Sequence, residues 1–128
     1  MIFKGDKKVG SSQQTVDFIL ECIGNSTLSY KKMFGEYALY TEGKMVALIC
    51  DNQLFVKKIA EGEAFLSAHF SLEPNKIPEG FPYQGAKAHF LIGGENWENG
   101  ELMRALIHLY AKYLPLPTIK KKVPKKDS

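Results

Sequence analysis

Two-residue turn signals divide the middle of the chain into short segments, and this spacing restricts the fold more than any other feature. Met45–Cys50 is a run of six apolar residues, preceded by Glu42-Gly43 and followed by Asp51-Asn52. Connections of two residues join antiparallel neighbours, because a parallel crossover needs a dozen or more residues. A strand that is apolar throughout is typical of a sheet covered on both faces. The sequence therefore predicts an antiparallel meander with Met45–Cys50 as a central strand.

The neighbouring segments supply the other strands. The helical period ends before Thr27, and we predict a strand at Leu28–Phe34 and a second strand at Tyr37–Thr41. Gly35 lies between them and is expected to form a bulge or a bend, because glycine weakens regular pairing inside a strand. The chain returns through Leu54–Lys58, and a further strand is predicted at Ala88–Ile92.

Helical periodicity appears in three places. Ser11 and Gln14 have the spacing of a capping box, and apolar residues follow at helical intervals until Gly24, which suits a left-handed C-terminal cap. Residues 60–70 are predicted to form a short helix with acidic residues near its start. A last helix is predicted from a cap near Asn96, with a long apolar stripe that ends at two closely spaced prolines.

The predicted order is helix, three or four antiparallel strands, helix, strand, helix. This order defines an α+β fold in which the helices pack on a single antiparallel sheet. One domain is expected at a length of 128 residues. We place it at residues 11–117, after a loose N-terminal arm at residues 1–10 and before a Lys-rich flexible tail at residues 118–128.

The net charge of +3 comes from the end of the chain. Residues 115–128 contain five lysines and one aspartate, whereas the remainder contains 12 basic and 13 acidic residues. The folded part is therefore expected to be nearly neutral. The tail is expected to make weak, non-specific contacts with nucleic acid, since each neutralised phosphate releases a counterion. The residues concerned are Lys120, Lys121, Lys122, Lys125 and Lys126.

The sequence shows no feature of a membrane or secreted protein. It lacks a run of about 18 apolar residues, and no apolar core follows the N-terminal lysines as it would in a signal peptide. Cys22 and Cys50 form no CxxC pattern and are expected to be buried free thiols. We therefore expect a cytoplasmic protein without a membrane partner.

Three blocks resemble the N-terminal domain of the TfoX/Sxy family. The first is Lys31-Lys32-Met33-Phe34-Gly35-Glu36-Tyr37-Ala38-Leu39-Tyr40, and the second is the hairpin at residues 42–49 with the returning Leu54-Phe55-Val56-Lys57. The third is Tyr83-Gln84-Gly85-Ala86-Lys87-Ala88-His89-Phe90, where Gln84 and Ala88 replace two prolines of the family pattern. The resemblance covers roughly residues 14–122 and implies an α+β fold similar to secretion-chaperone-like domains.

The resemblance also implies a function. The best-known members of the family are positive regulators of natural competence, which act with the cyclic-AMP receptor protein and carry a second, helical domain. It therefore implies a stand-alone regulatory or interaction module, related to competence or transcription regulation, that works through contacts with a protein partner such as a transcription regulator. A homodimer is a further alternative, and no enzymatic activity is expected.

Basic and aromatic residues offer an alternative function. Lys32, Lys57 and Lys87 lie near strand positions of the three blocks, and if they converge they could bind a small anionic ligand or a nucleotide. The opposing interpretation is that the lysines protect exposed strand edges while the aromatic rings pack. The full candidate set is Tyr30, Lys32, Phe34, Tyr37, Lys57, Tyr83 and Lys87.

Catalytic and metal-binding patterns are weak. The three histidines lack the spacing of a zinc site, so neither a metal nor a cofactor is expected. The chain has no G-x-S-x-G motif for a nucleophilic serine. A general acid–base enzyme that uses His89 and a tyrosine is kept as a third alternative.

Overall fold

The predicted order of elements is confirmed in a computed structural model, which describes residues 10–24 and 27–116. The proposed arm at residues 1–10 therefore lies outside the described residues except for Gly10, and so does the tail at residues 118–128. The elements are α1 (Gln13–Ile23), β1 (Ser29–Met33), β2 (Glu36–Thr41), β3 (Lys44–Cys50), β4 (Gln53–Val56), α2 (Ala60–Phe70), β5 (Glu79–Gly80), β6 (His89–Ile92) and α3 (Gly100–Tyr113).

The six strands form one antiparallel sheet in the order β1-β2-β3-β4-β6-β5. The central position predicted for Met45–Cys50 is confirmed, since Leu48 of β3 lies opposite Ala38 of β2 and Phe55 of β4. The chain leaves the meander after β4, forms α2, and returns to pair β6 with β4. The short strand β5 then occupies one edge, and β1 occupies the other.

Three two-residue turns connect the meander, and both residues of each turn have positive φ. Positive φ at both positions is the signature of type I′ turns, whose twist matches that of the flanking strands. Of the bulge or bend expected at Gly35, the structure shows a bend, because Gly35 is the second residue of such a turn; a shift of register occurs at Leu39 and Tyr40. The φ values are 52° and 81° at Phe34-Gly35, 54° and 75° at Glu42-Gly43, and 54° and 57° at Asp51-Asn52.

The start of α1 differs from the prediction by one residue. Ser12, not Ser11, is the N-cap, and its side chain accepts a hydrogen bond from the Thr15 amide at 3.2 Å. Ser11 is used for a tertiary contact: its hydroxyl donates to Glu36 Oε1 at 2.7 Å and accepts from the Asn52 amide at 2.9 Å. These bonds tie the start of α1 to two of the hairpin turns.

The last helix also starts later than predicted. Asn99 is its N-cap and accepts a hydrogen bond from the Leu102 amide at 3.1 Å, whereas Asn96 ends a short 3-10 turn. Trp97 precedes the helix, and its indole N–H donates to the Ile92 carbonyl at 2.9 Å. Trp97 therefore lies outside the helix, and the buried residues of the helix include Met103.

The main hydrophobic core lies between one face of the sheet and the helices α1 and α3. Alternation sends Tyr37, Leu39, Ala47, Ile49, Leu54 and Val56 to this face, together with Phe90 and Ile92 of β6. The helices contribute Val16, Ile19 and Ile23 from α1, Leu66 from α2, and Met103, Leu106, Ile107 and Tyr110 from α3.

Tyr110 joins α3 to the end of β4. Its buried hydroxyl donates to the Lys57 carbonyl, and the ring lies directly against Gly62 of α2. Burial, with a smaller contribution from the Glu61 carboxylate, raises the pKa of Tyr110, which favours the protonated form that can donate this bond. A methyl group on residue 62 would overlap the hydroxyl and lie 2.8 Å from Cζ, so α2 can approach α3 only with glycine here.

We predict that Gly62→Ala destabilises the fold, although alanine normally stabilises a helix by about 1 kcal/mol relative to glycine. The added methyl must displace Tyr110 and its hydrogen bond, so we expect a net loss of about 2 kcal/mol in the free energy of unfolding. Urea denaturation followed by circular dichroism measures it. Ala64→Gly, at an exposed position of the same helix, is the control and should lose about 1 kcal/mol by propensity alone. A Gly62→Ala variant more stable than wild type would contradict this packing.

Candidate functional site

The seven candidate residues lie in three places, and Tyr37 contributes to two of them. Tyr30, Lys32 and Tyr37 form the first group, where β1 meets α1. The ring centroids of Tyr30 and Tyr37 are 5.6 Å apart, and Lys32 Nζ lies 5.8 Å from the centroid of Tyr37. Gln13 of α1 donates to the Tyr30 hydroxyl at 3.2 Å and accepts from the Tyr37 hydroxyl at 3.3 Å. This group therefore holds α1 against the sheet.

Phe34 and Tyr83 belong to a second place, an apolar groove beside the first hairpin turn. The groove has a volume of about 410 Å³. Leu48 and Cys50 alternate with Ala47 and Ile49, so they face away from the main core. We call this cavity the apolar groove; its walls are Met33, Phe34, Glu36, Tyr37, Met45, Leu48, Cys50 and Tyr83.

Phe34 combines full exposure with an unfavourable backbone. Its side chain has a relative exposure of 102%, and its φ of 52° places it in the left-handed region. That region costs an ordinary residue about 1 kcal/mol or more, and asparagine, aspartate or glycine is preferred at this turn position. The exposed ring recovers none of this cost by burial within the described part of the chain.

The edge strand β1 runs up to Phe34. All five of its residues are exposed, and within residues 10–24 and 27–116 no strand pairs with its outer side. Lys31 and Lys32 give the edge positive charge, which is a common protection of exposed edges against indiscriminate pairing. We call Tyr30–Phe34 together with the apolar groove the β1 surface.

Lys57 and Lys87 occupy the third place, a cavity of about 480 Å³ at the end of β4 and the start of β6. We call it the basic cavity; Lys57, Lys58, Lys87, Ala88 and His89 line it. Lys32 does not join them, because β1 and β4 are separated by two strands, which is a distance of about 14 Å across the sheet. The structure thus brings two of the three lysines together and leaves the third beside α1.

His89, for which the sequence suggests only a catalytic role, lines the same cavity as the two lysines. Its side chain is nearly buried, and its Nδ1 lies 2.8 Å from the Lys87 carbonyl. Pairing of Val56 with Phe90 brings Lys57 next to His89. The Lys-x-His spacing before β6 was visible in the sequence, but its significance depends on the β4–β6 pairing.

The described residues show neither a metal cluster nor a membrane span. Within residues 10–24 and 27–116, no three histidine, cysteine, aspartate or glutamate side chains are grouped as a metal site requires. None of the helices described there is long and apolar enough to cross a bilayer.

This geometry defines a small α+β domain. Its helices lie on one face of an antiparallel sheet, and the opposite face is partly open. The chain belongs to the TfoX N-terminal domain family, whose sequence model matches residues 20–111 and so includes all seven candidate residues. It is 34% identical over 91 residues to a Spirochaeta aurantia protein described as an uncharacterized 12.7 kDa protein in the trpE 5′ region, and the match covers 70% of each chain. The resemblance noted from the sequence blocks is confirmed.

The two cysteines should differ in reactivity. Cys50, with 2% exposure, forms part of the groove, and burial, followed by the charges of Glu36 and Asp51, raises the pKa of its thiol to about 12. Only about one molecule in ten thousand then carries the thiolate at pH 8. Cys22 is half-buried; its pKa is also raised, chiefly by burial and then by Glu98 and Glu21. We predict that Cys22 reacts with iodoacetamide at least about tenfold faster than Cys50 in the folded protein.

Mass spectrometry of peptides over a time course at pH 8 measures the two rates. In urea both cysteines should react at similar rates, which provides the control. Equal rates in the folded protein would show that the groove is open at Cys50.

Proposed function

We propose that the protein is a non-enzymatic regulatory interaction module that binds a protein partner through the β1 surface. The main support for this proposal is the fully exposed Phe34 ring, whose backbone is in the left-handed region. Strained and exposed features of this kind cluster at functional sites, where binding compensates for their cost. A partner that covers the ring would recover the apolar burial that the described residues do not supply.

Besides the Phe34 ring, the open edge of β1 also offers a surface for recognition. An extended peptide can add to an open sheet edge through main-chain hydrogen bonds, while neighbouring pockets select its side chains. The apolar groove lies beside this edge, with Met33 and Phe34 in its wall. We therefore expect the partner to contribute an extended segment with an apolar side chain that enters the groove.

The exposed side of the last helix, α3, supports partner binding less well than the β1 surface. Its apolar side chains Leu102, Met103, Leu106, Ile107 and Tyr110 are all buried in the fold. The exposed positions of α3 are mainly polar, such as Glu101, Arg104 and His108, and Tyr113 is its one large apolar side chain that is exposed. A helix whose apolar stripe is already packed leaves little surface for a second partner.

The family resemblance suggests the class of partner. We propose a transcription regulator as partner, and a role related to competence or transcription regulation in the cytoplasm. A homodimer formed through the same edge is an alternative occupant, and contacts of the lysine tail with nucleic acid are a separate proposal. Neither metal nor cofactor takes part in this mechanism.

Substitution of the exposed ring tests the proposal. Phe34→Asn removes the aromatic ring, and asparagine tolerates positive φ, so we expect the variant to be at least as stable as wild type. Capture of a partner from extract of the source cells, identified by mass spectrometry, should fall at least about tenfold for this variant.

Leu116→Asn is the matched control, since Leu116 is also an exposed apolar residue, follows α3 and lies outside the groove. It should capture the same protein as wild type. Equal capture by Phe34→Asn and wild type would overturn the assignment to the β1 surface, and failure of wild type to capture any protein at any salt concentration would overturn the proposed function.

A further inference from the structure

We propose that the basic cavity is a binding site for a terminal phosphate group, held by Lys57, Lys87 and His89. The cavity lies at β4 and β6, on the other side of the sheet's centre from β1. The inference is therefore independent of the proposed partner surface. Its volume of about 480 Å³ is within the usual range for small-molecule sites.

Buried side chains hold the backbone of both lysines. The Tyr110 hydroxyl donates to the Lys57 carbonyl, and His89 Nδ1 bonds to the Lys87 carbonyl at 2.8 Å. A carbonyl can only accept a hydrogen bond, so His89 Nδ1 carries the proton. Two separate chain segments are thus positioned at one cavity by internal hydrogen bonds, while the lysine side chains remain exposed. Such support of a site by buried neighbours lowers the cost of ordering it around a ligand.

The remaining nitrogen of His89 also points to a ligand. The side chain is only 9% exposed, and its ring lines the basic cavity. Since Nδ1 is used, Nε2 is the free polar atom, and no described residue bonds to it. A polar ring atom of a nearly buried side chain gains from a hydrogen bond, and an oxygen of a bound ligand would supply one. Nε2 accepts from a protonated phosphate oxygen when the ring is neutral, and donates to phosphate when the ring is charged.

The charges of the cavity favour an anion. No acidic side chain is part of its lining, and within the described chain neither Lys57 nor Lys87 forms an ion pair. Lys58 is the exception, because its Nζ lies 2.7 Å from Glu79 Oε2. The two unpaired ammonium groups are therefore the available cations.

Three polar groups suit a terminal phosphate better than other anions. A phosphate monoester has three terminal oxygens, one for each of Lys57, Lys87 and His89, whereas a backbone phosphodiester has two and a carboxylate has two. Charge-assisted hydrogen bonds to such oxygens are among the stronger polar interactions. We therefore assign the site to a small phosphorylated molecule.

Nuclear magnetic resonance titration of the full chain with glycerol 3-phosphate tests the site, with glycerol and inorganic phosphate as companion probes. We expect saturable shifts at residues 57, 87 and 89 with both phosphates, a dissociation constant of about 1 mM or lower for glycerol 3-phosphate, and none with glycerol. The His89 Nε2 resonance of the wild-type protein should move as well. An oligonucleotide without terminal phosphates should cause much smaller shifts at these residues, and equal shifts would overturn the assignment to a monoester.

Two sets of variants distinguish this site from general attraction to lysines. Lys57→Gln/Lys87→Gln should weaken binding at least about tenfold, whereas Lys76→Gln/Lys112→Gln, with the same loss of charge at exposed positions, should leave it unchanged. His89→Asn keeps a donor near the Lys87 carbonyl but removes Nε2, and it should weaken binding about threefold or more. Absence of saturation, or equal weakening in both double variants, would overturn the proposal.

Discussion

Three tight turns set the register of the antiparallel sheet. Each turn has only two residues, both with positive φ, and so fixes how the two strands pair. A slip by one residue would exchange the two faces of a strand. With this register, Leu39, Ile49 and Leu54 meet α1 and α3 in the core, while Leu48 and its neighbours face the opposite side. The same register leaves β1 at an edge and places Phe34 at its tip.

Several polar contacts connect the helices to this sheet, and two groups of them lie beside the candidate surfaces. Ser11 binds Glu36 and the amide of Asn52, which holds the start of α1 at the turns. Tyr110 binds the Lys57 carbonyl, which holds α3 at the end of β4. The two candidate surfaces lie at these two junctions: the apolar groove shares Glu36 with the first, and the basic cavity shares Lys57 with the second. The framework of the fold therefore also positions the groups proposed to bind partners and ligands.

Local patterns in the sequence predicted the meander, the helix at residues 60–70 and the α+β class, because turns and periodicity depend on neighbouring residues. The predictions that were wrong concern details that depend on tertiary contacts. Ser11 and Ser12 are both plausible caps, and only the bond between Ser11 and Glu36 decides between them. Likewise, the position of Lys57 beside His89 follows from β4–β6 pairing across the intervening α2, which no local pattern reveals. Lys32 appeared equivalent to the other lysines because strand order was unknown.

Site-specific photocrosslinking in the source cells shows whether the β1 surface binds a partner. A photoreactive amino acid would replace Lys31 on the exposed edge or, as the control, Ala105 on the exposed side of α3. We expect a discrete adduct with one protein from position 31 and none from position 105. An adduct from position 105 alone, or none from either position, would contradict this expectation.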